Sequence, residues 1–488
     1  MLRNLIITLV VLVLGTIVIL VVNTQLTTQT LPVTAPAAEP IILDQDAAVK
    51  RLAQAVRYQT VSHGPDVPVS AQAFDDLHDF LVQNYPRVHE TLERERIGGH
   101  SLLYMWKGRD PDLKSVLLSA HLDVVPVEPD TEKEWEYPPF AGDIAEGFVW
   151  GRGTLDDKGS VLGILEAVEF LLGQGFTPTR TIYLAFGHDE ELGGQNGAAM
   201  IAERLAERGE RVAFILDEGS AIVQGIVPGI EKPVALIGLA EKGYLTLEIL
   251  VQGQGGHTSM PGQDTVIGRL ARALQRIHTQ PMPGALRPPA SELFETLAAQ
   301  VPWTWRIVLA NRWLFDPLIL DRLALTPATN AMIRTTCVPT LIAGGVKENV
   351  LPSQATATVN CRLLPGDTVA EVTAHLREVI GDPAVTVTPS GAVRESSPVA
   401  DSKSESFTML RKGVQEVFPE VVVAPSLVLA GTDSKWYTGI ADNIYRFLPI
   451  RLEQADLKRI HGTNERIDVS NYREIIRFYV QLLRNTAE

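Results

Sequence analysis

Short apolar runs alternate with segments of helical periodicity between residues 41 and 241. The runs SVLLSAHLDVV, TIYLAFGH and AFILD have the length and apolar content of strands. Residues 160–172 and 197–208 carry the helical pattern. Because strands that alternate with helices usually pair side by side in one sheet, this segment is predicted to be an α/β domain with a mixed, largely parallel sheet.

The order of the predicted elements changes between Gly243 and Pro389. A strand, a helix, two strands, a helix and a strand follow one another, which is the order of a ferredoxin-like β-α-β-β-α-β unit. The last hundred residues return to α/β character, with helices near 404–417 and 470–485. The simplest architecture is a catalytic domain of residues 41–241 and 391–488, interrupted by a lid and dimerisation domain of residues 242–390.

The first residues of the chain are strongly apolar. The run from Leu5 to Val22 is uninterrupted, and at helical rise it is about 27 Å long, close to the hydrocarbon thickness of a bilayer. Arg3 is the only charge before it, so residues 1–22 are predicted to be a transmembrane anchor with the catalytic domain on the non-cytoplasmic side. A cleaved signal peptide, and hence a secreted protein, is the alternative. Residues 23–40, rich in Thr, Pro and Ala, are predicted to be an extended linker.

Composition narrows the class of protein. The chain has 488 residues, of which 45% are hydrophobic and 21% charged, so two globular domains are expected. Its formal net charge of −15 argues against a nucleic-acid partner. Cys337 and Cys361 are the two cysteines, too few for a disulfide scaffold or a cysteine zinc site, and they are expected to be buried thiols. Any metal must therefore bind His, Asp and Glu.

Imidazole and acidic side chains follow several predicted strands: His121 with Asp123, Asp156 with Asp157, Glu190 with Glu191, and Asp217. Each pair alone has a simpler explanation, such as a local hydrogen bond, a helix cap or a solvated acidic loop. Together, however, they meet at the carboxyl edge of one α/β sheet, where ligands bind. Converging carboxylates repel one another unless cations neutralise them. Zinc is the first candidate for such nitrogen and oxygen ligands.

Eight motifs carry a family resemblance, and in order they are SAHLDVVPV, GRGTLDDKG, GHDEELGG, FILDEG, GGHTSMP, GGVKENVLPS, NCRLLPG and IHGTNERI. A chain with these motifs resembles the two-zinc metallopeptidase and aminoacylase family, which includes aminoacylase, carboxypeptidase S and bacterial glutamate carboxypeptidase. Within that family it is most similar to the branch of carboxypeptidase S and the N-fatty-acyl-amino-acid synthase/hydrolase. The resemblance extends over residues 45–486.

The resemblance implies a role for each matching residue. Of the two zinc ions per subunit, His121 and Asp217 would hold one, Glu191 and His461 the other, and Asp156 would bridge both. Glu190 would be the base that activates a water between the metals, and Asp123 would orient His121. A cis peptide bond is implied between Asp156 and Asp157.

Three further matches lie outside the predicted catalytic domain. His257 matches the position that stabilises the oxyanion, often from the partner subunit of a dimer. Asn349 and Arg362 match positions that bind the substrate carboxylate, although Arg362 could also be an exposed strand arginine. Lys435 stands where the family pattern has Arg, so its role is open, and Asp433 is expected to be structural.

The expected function is hydrolysis, or reversible formation, of the amide bond of a small-molecule N-acyl amino acid. Tryptophans and aliphatic residues between Leu293 and Leu325 suit an acyl-chain groove, docking on a membrane, or packing at the lid or a dimer interface. A carboxypeptidase or dipeptidase acting on short peptides is the alternative with the same metals. A non-catalytic tethered binding protein would have lost a ligand or the base, and none is missing.

Overall fold

Fourteen α-helices occur among the residues that the computed structural model describes, which are 2–27, 38, 41, 44–64, 66–227 and 229–487. They are α1 (Leu2–Thr27), α2 (Gln45–Val56), α3 (Ala71–Asn84), α4 (Pro86–Thr91), α5 (Lys158–Gly173), α6 (Ala198–Glu207), α7 (Val266–Thr279), α8 (Ala290–Leu297), α9 (Trp303–Ala310), α10 (Arg312–Leu323), α11 (Pro327–Ile333), α12 (Val369–Ile380), α13 (Glu405–Val417) and α14 (Val469–Asn485). Short 3₁₀ turns cover Thr131–Glu134, Glu190–Leu192, Ala298–Gln300 and Asp433–Tyr437.

Nineteen strands lie in the same described ranges. They are β1 (Glu93–Ile97), β2 (Ser101–Trp106), β3 (Ser115–His121), β4 (Ile144–Ala145), β5 (Phe148–Trp150), β6 (Ile182–Gly187), β7 (Val212–Asp217), β8 (Ile222–Gln224), β9 (Val234–Glu241), β10 (Gly243–Gln252), β11 (Gly256–His257), β12 (Thr336–Gly344), β13 (Val350–Leu351), β14 (Gln354–Leu363), β15 (Val385–Arg394), β16 (Val422–Val428), β17 (Ala441–Arg446), β18 (Arg451–Glu453) and β19 (Arg466–Asp468).

These elements form two compact units. The large unit comprises the described residues of Thr30–Leu239, Ala400–Ser426 and Thr432–Glu488. The small unit comprises those of Met1–Gln29, Ala240–Val399 and Leu427–Gly431. The domain boundaries predicted at residues 242 and 390, and the lid role of the segment between them, stay predictions.

The sheet of the large unit has the order β1-β2-β6-β3-β7-β17-β9-β8-β18, with β16 also paired to β9. The pairs β6–β3, β3–β7, β7–β17 and β8–β18 are parallel, whereas β1–β2, β2–β6 and β8–β9 are antiparallel. The α/β fold with a mixed sheet is therefore as predicted, but parallel pairing is less extensive than expected. One reason is local: β1 and β2 are joined by three residues, too short a connection for parallel strands.

Burial explains why the central strands form where they do. Every residue of β3 and β6 is buried, as the apolar runs of the sequence require. Helix α5, almost entirely buried, packs against α14. The register pairs His121 of β3 with Gly187 of β6, and β7, which pairs with β3, ends at Asp217. Three strand ends that carry predicted site residues therefore lie at one edge of the sheet.

The small unit contains an antiparallel sheet of order β12-β14-β10-β15. Buried and half-buried residues alternate along β10 and β14, so one face of the sheet packs on α7 and α12 around a common apolar core. The elements follow the predicted order of strand, helix, two strands, helix and strand. Helices α8 to α11 are inserted between α7 and β12.

The expectation of two buried thiols is wrong, because Cys337 and Cys361 form a disulfide. Cys337 of β12 is the direct cross-strand partner of Cys361 of β14, and their Cα atoms are 4.1 Å apart. Spacing along the chain did not reveal this pairing, since it depends on the strand register. A disulfide is consistent with the predicted non-cytoplasmic location of this part of the chain.

The N-terminal helix is longer than predicted. Helix α1 continues to Thr27, so residues 23–27 are helical rather than part of an extended linker. Their polar side chains have partners in the small unit, since Asn23 and Thr24 both hydrogen-bond to Asn311. The remaining linker positions 28–37, 39 and 40 lie outside the described residues. An 18-residue window of helix α1 has a mean hydropathy of 3.4, and the helix is long and apolar enough to cross a membrane, a property that signal sequences share.

Candidate metal centre

Three side chains from different parts of the large unit form a compact ligand cluster. His121 ends β3, Asp156 lies in the turn before α5, and Glu191 lies in the 3₁₀ turn after β6. One nitrogen or oxygen atom of each lies within 4.8 Å of the other two. The His121 Nε2 atom is 2.8 Å from Asp156 Oδ1. His121 and Glu191 follow strands β3 and β6 of the large sheet, as expected, whereas the expectation for Asp156 is wrong, because the strand before it, β5, belongs to a separate sheet with β4 and β19.

The two carboxylate oxygens of Asp156 face two different histidines. Oδ1 faces His121, and Oδ2 is 3.0 Å from the Nε2 atom of His461. The same His461 nitrogen is 3.4 Å from Glu191 Oε2. The peptide bond between Asp156 and Asp157 is cis, as the resemblance implied. This arrangement allows one carboxylate to be shared by two cations, each also bound by one histidine.

The donors fit divalent metal ions. Glu191 Oε1 is buried and has no hydrogen-bond partner among the described residues. Burial raises the pKa of Glu191, and the neighbouring carboxylate of Asp156 raises it further. Such crowding is unfavourable for anions unless a cation lies between them. Imidazole and carboxylate donors at this spacing are the ligands that zinc and related ions take.

The carboxylates around His121 and His461 raise the pKa of both histidines. Burial opposes the charge on His121, but hydrogen bonds to Asp123 and Asp156 reverse this and hold its pKa well above the usual range. Hydrogen bonds to Asp156 and Glu191 raise the pKa of His461 to about 10. Protons therefore neutralise the carboxylates where metal ions would otherwise do so.

Asp123 connects the ligand histidine to the acidic turn. Its Oδ1 and Oδ2 atoms accept hydrogen bonds from the amides of Glu190 and Glu191, at 3.2 and 3.3 Å, and Ser62 Oγ donates to Oδ2 at 2.7 Å. His121 Nδ1 donates to the carbonyl oxygen of Asp123 at 3.0 Å and lies 3.3 Å from its Oδ1. These bonds direct His121 Nε2 toward the cluster. Ser62 was not singled out from the sequence.

Two further predicted residues lie near this cluster with different partners. The 3₁₀ turn Glu190–Leu192 places Glu190 beside Glu191, and burial raises the pKa of the Glu190 carboxyl well above its usual range. Asp217 is buried at the end of β7, where its Oδ2 accepts a hydrogen bond of 2.7 Å from the Ser434 amide. Within the described residues, Asp217 does not belong to the three-residue ligand cluster.

A buried ion pair that sequence reasoning missed supports both sides of the centre. Arg152 donates to the Glu465 carboxylate, and both side chains are buried. Its Nη2 atom also donates to the carbonyl oxygens of His461 and Gly462, each at 3.1 Å. Glu465 Oε1 accepts from the amide of Leu155, next to Asp156, at 2.9 Å. Both residues lie inside recognised motifs, but their pairing across more than 300 positions is a tertiary contact.

Asp433 packs against the backbone that carries the acidic turn. A Cβ atom at Gly187 or at Gly194 would collide with its carboxylate, so glycine is required at both places. Burial and the nearby Asp217 carboxylate raise the pKa of Asp433 well above the usual range. Lys435 Nζ lies 5.9 Å from the centre of the Trp436 ring. These contacts agree with a packing role for Asp433 and leave the role of Lys435 open.

The other predicted residues lie in the small unit. His257 of β11 pairs with Val350 of β13 and is exposed, and Asn349 adjoins it through a 3.4 Å hydrogen bond from the Thr258 amide to its carbonyl oxygen. Arg362 is half-buried on β14, with its guanidinium carbon 4.7 Å from the centre of the Tyr244 ring. The structure thus brings His257 and Asn349 together on one ribbon, and places Arg362 on a different strand.

The sequence profile of peptidase family M20/M25/M40 matches residues 117–485. The chain belongs to this family. A probable carboxypeptidase S-like 2 of Dictyostelium discoideum is 41% identical over 444 residues, 90% of this chain and 85% of the relative. The N-fatty-acyl-amino acid synthase/hydrolase PM20D1 of Xenopus tropicalis is 39% identical over 441 residues, 90% of this chain and 85% of the relative.

Solved structures agree on the fold. The crystal structure of the metallo-carboxypeptidase Sso-CP2 from Sulfolobus solfataricus superposes with a TM-score of 0.65 at 17% identity, over 91% of this chain and all of that one. At this identity the similarity concerns the M20 α/β fold alone. Membership of the family, together with the cluster of metal-binding side chains, makes the protein a metal-dependent amidohydrolase.

Proposed function

We propose that this protein is a two-zinc hydrolase that cleaves, and in reverse forms, the amide bond of N-acyl amino acids, including those with long acyl chains. The observation that carries the chemistry is the Asp156 carboxylate, whose two oxygens face His121 and His461. The substrate class rests on the relatives that are named N-fatty-acyl-amino acid synthase/hydrolases and that align over nearly the whole chain.

The ligands divide into two sets around Asp156. His121 and Asp217 would hold one zinc, Glu191 and His461 the other, and Asp156 both. His121 is already oriented for this role, because Nδ1 donates to the Asp123 carbonyl oxygen and leaves Nε2 toward the cluster. Bound zinc ions supply Lewis acidity, which polarises the amide carbonyl and lowers the pKa of water.

Glu190 is the proposed general base and acid. Its carboxylate accepts a proton from the attacking water and then donates that proton to the nitrogen of the departing amine. Burial raises the pKa of the Glu190 carboxyl, which makes its carboxylate a stronger base than that of an exposed glutamate. Asp123 holds the Glu190 amide at 3.2 Å, which sets the position of the turn and thus of the base.

His257 is the proposed donor to the oxyanion. The Ser259 amide donates to its Nδ1 at 3.1 Å, so in the neutral ring the proton is on Nε2, which can donate a hydrogen bond. We place this histidine at the reaction centre of a homodimer partner, as the family resemblance implied, with dimerisation through the small unit.

Arg362 and Asn349 are the proposed recognition residues for the carboxylate of the amino acid. The Arg362 guanidinium carbon lies 4.7 Å from the centre of the Tyr244 ring, and a guanidinium can donate two N–H groups to one carboxylate. The same group would bind the terminal carboxylate of a peptide. A carboxypeptidase or dipeptidase is therefore the second candidate function, and the carboxypeptidase S-like relative favours it.

The proposed location is a membrane, with α1 retained as a single-pass anchor and the catalytic unit on the non-cytoplasmic side. Arg3, in the first turn of α1, precedes the apolar run, and the helix contains no other charged side chain. The Cys337–Cys361 disulfide supports an oxidising compartment. Cleavage after α1 would instead produce a secreted enzyme.

A substrate panel tests the proposed function. The full-length protein, loaded with zinc, is assayed against N-acetyl amino acids, long-chain N-acyl amino acids and dipeptides that share the same carboxyl-terminal residue. Faster hydrolysis of the long-chain N-acyl compounds is the expected result. Hydrolysis of the dipeptides alone would contradict the proposal and establish the carboxypeptidase or dipeptidase function.

A further inference from the structure

Helix α1 ends on the inserted helices of the small unit, α9 and α10. At their junction Asn311 is fully buried and donates through Nδ2 to Thr24 Oγ1 at 3.0 Å and to the Leu20 carbonyl oxygen at 3.2 Å. In return Asn23 Nδ2 donates to Asn311 Oδ1 at 3.0 Å and to the Ala310 carbonyl oxygen at 2.9 Å. Thr24 is also buried. These bonds attach the last turns of α1 to the junction of α9 and α10.

The attachment lies where α1 would leave a bilayer. The uninterrupted apolar run of α1 ends at Val22, one residue before Asn23, and its length of about 27 Å matches the hydrocarbon layer. Asn23 and Thr24 are thus at the polar boundary of the span, and the junction of α9 and α10 at Asn311 lies beside them. This is the depth at which Trp side chains concentrate in membrane proteins.

The outer faces of α9 and α10 have the composition that this depth favours. Trp303, Trp305 and Trp313 are between 45% and 64% exposed, and Leu314 and Leu318 are 44% exposed. No residue of α9 is buried.

Arg306 and Arg312, the arginines nearest the junction of α9 and α10, have partners close by. Arg306 donates to the Ala299 carbonyl oxygen at 2.8 Å. Arg312 pairs with Asp316 and Glu295, each at 3.1 Å. Apart from the exposed Asp321 and Arg322 in the last turn of α10, the surface is rich in indole rings and leucines, a composition that is unusual for a face left in water.

We propose that α9 and α10 form a second membrane contact, in which the exposed tryptophans and leucines enter the interface of the bilayer that α1 spans. The occupant of this surface is lipid, because the hydrogen bonds to Asn311 keep the surface beside the membrane whenever α1 is inserted. The proposal rests on the retained anchor of the proposed function and does not depend on the substrate. It assigns a role to the apolar insert, for which docking on a membrane was one expectation.

Tryptophan fluorescence can test this contact in the full-length chain. Three of the seven tryptophans are on α9 and α10, and α1 contains none. The protein is reconstituted in phosphatidylcholine vesicles with brominated or ordinary acyl chains, and bromine quenching is measured. The variant in which Trp303, Trp305 and Trp313 are all replaced by Phe is compared with Trp436→Phe, which removes an exposed tryptophan of the large unit.

The wild type and Trp436→Phe are expected to be quenched by the brominated lipid, and the triple variant to lose most of that quenching. Equal quenching in all three proteins would overturn the proposal. Quenching that is weak at high protein density and increases on dilution in excess lipid would also overturn the proposal. It would mean that a second copy of the chain covers the surface at high protein density. If the triple variant fails to fold by circular dichroism, Trp313→Phe alone must give a partial loss of quenching.

Vesicle flotation and hydrolysis separate this inference from the proposed function. A chain that does not float with vesicles contradicts both the anchor and the contact, whereas the hydrolysis of N-acyl amino acids by the same preparation reports on the chemistry alone. A chain that floats and is active, but shows no quenching of the α9 and α10 tryptophans, contradicts only the second membrane contact.

Discussion

The Arg152 guanidinium donates both to the Glu465 carboxylate and to the carbonyl oxygen of His461. Through Glu465 it also supports the backbone just before Asp156, because Glu465 Oε1 accepts from the Leu155 amide. One buried ion pair therefore joins the two chain segments that carry Asp156 and His461. In the proposed centre these two side chains share a metal ion, so the pair would set the geometry of that centre.

Glu465→Gln is expected to lower metal affinity and kcat by roughly 10–100-fold, the usual effect of losing support for metal ligands. The amide has the same shape, but it leaves Arg152 buried without a counter-charge. Metal competition against a chromophoric chelator and steady-state kinetics measure the two effects. Glu166→Gln is the matched control, because Glu166 pairs with Arg51 in the same unit away from the centre. Equal loss of metal affinity in both variants would show a general structural effect instead.

Asp123→Asn is expected to leave the fold intact and to reduce metal affinity or turnover by roughly 10–100-fold. The two carboxylate oxygens of Asp123 accept hydrogen bonds from the backbone amides of Glu190 and Glu191. Asparagine has an NH2 group in place of one of these oxygens, so the variant loses one of the two bonds. Ser62→Ala removes only the hydroxyl donor to the same carboxylate and should have a small effect. Wild-type metal affinity and turnover in Asp123→Asn would show that this carboxylate does not position the centre.

His257→Ala is expected to lower kcat by about 100–1000-fold with little change in KM, because an oxyanion donor acts in the transition state. Ser259→Ala is the control, since the Ser259 amide still donates to His257 Nδ1 and keeps the proton on Nε2. If His257 acts on the partner subunit, mixing His257→Ala with Glu190→Gln should restore activity once subunit exchange is demonstrated. Inactive mixed dimers of folded, metal-loaded parents would rule out action on the partner.

Metal loading is expected to release protons at neutral pH. The pKa of His461 is raised to about 10 and that of His121 lies well above its usual range, so both rings are charged in the metal-free protein at pH 7. Metal ligation requires neutral imidazole, so metal affinity should rise with pH. In the metal-free protein the same raised pKa of His461 stabilises the fold below about pH 6.5, and this contribution is lost as the pH rises through about 10.

Calorimetry of zinc binding in two buffers that differ in ionisation enthalpy measures the number of protons released. A positive number is expected for the wild type, and His461→Gln should release fewer protons. Identical binding enthalpies in the two buffers would contradict the assignment of charged histidines to the metal-free centre.

The sequence predicts this fold well where local pattern and burial agree. The apolar run that ends at His121 becomes a fully buried strand, and its register brings His121 level with Gly187, just before the acidic turn. Helix α12, the second helix of the predicted β-α-β-β-α-β order, begins at a Thr368 and Glu371 capping box, a local signal. The approach of His121 and Glu191 follows from strands β3 and β6, which end at one edge of the large sheet. Asp156 follows β5 of a separate three-stranded sheet, so its place in the cluster did not follow from that argument.

Contacts between distant segments were not predictable in the same way. The Arg152–Glu465 pair and the Asn311 junction with α1 depend on tertiary packing, for which one sequence contains no periodic signal. The Cys337–Cys361 disulfide depends on the register of two neighbouring strands. His461 would read as a surface histidine on local sequence alone, and half of its side chain is indeed exposed. The ordered motifs of the family resemblance were needed to single it out.

Glu190→Gln is the most direct test of the proposed chemistry, in which a glutamate beside two zinc ions moves the proton. The full-length variant is compared with wild type for bound zinc by mass spectrometry and for hydrolysis of a long-chain N-acyl amino acid. Two zinc ions per chain together with a loss of about 10²–10⁴-fold in kcat are predicted, since the amide cannot accept the proton. Glu191→Gln, one residue along the same turn, should instead bind less zinc. Wild-type hydrolysis by Glu190→Gln with both metals bound would contradict the account.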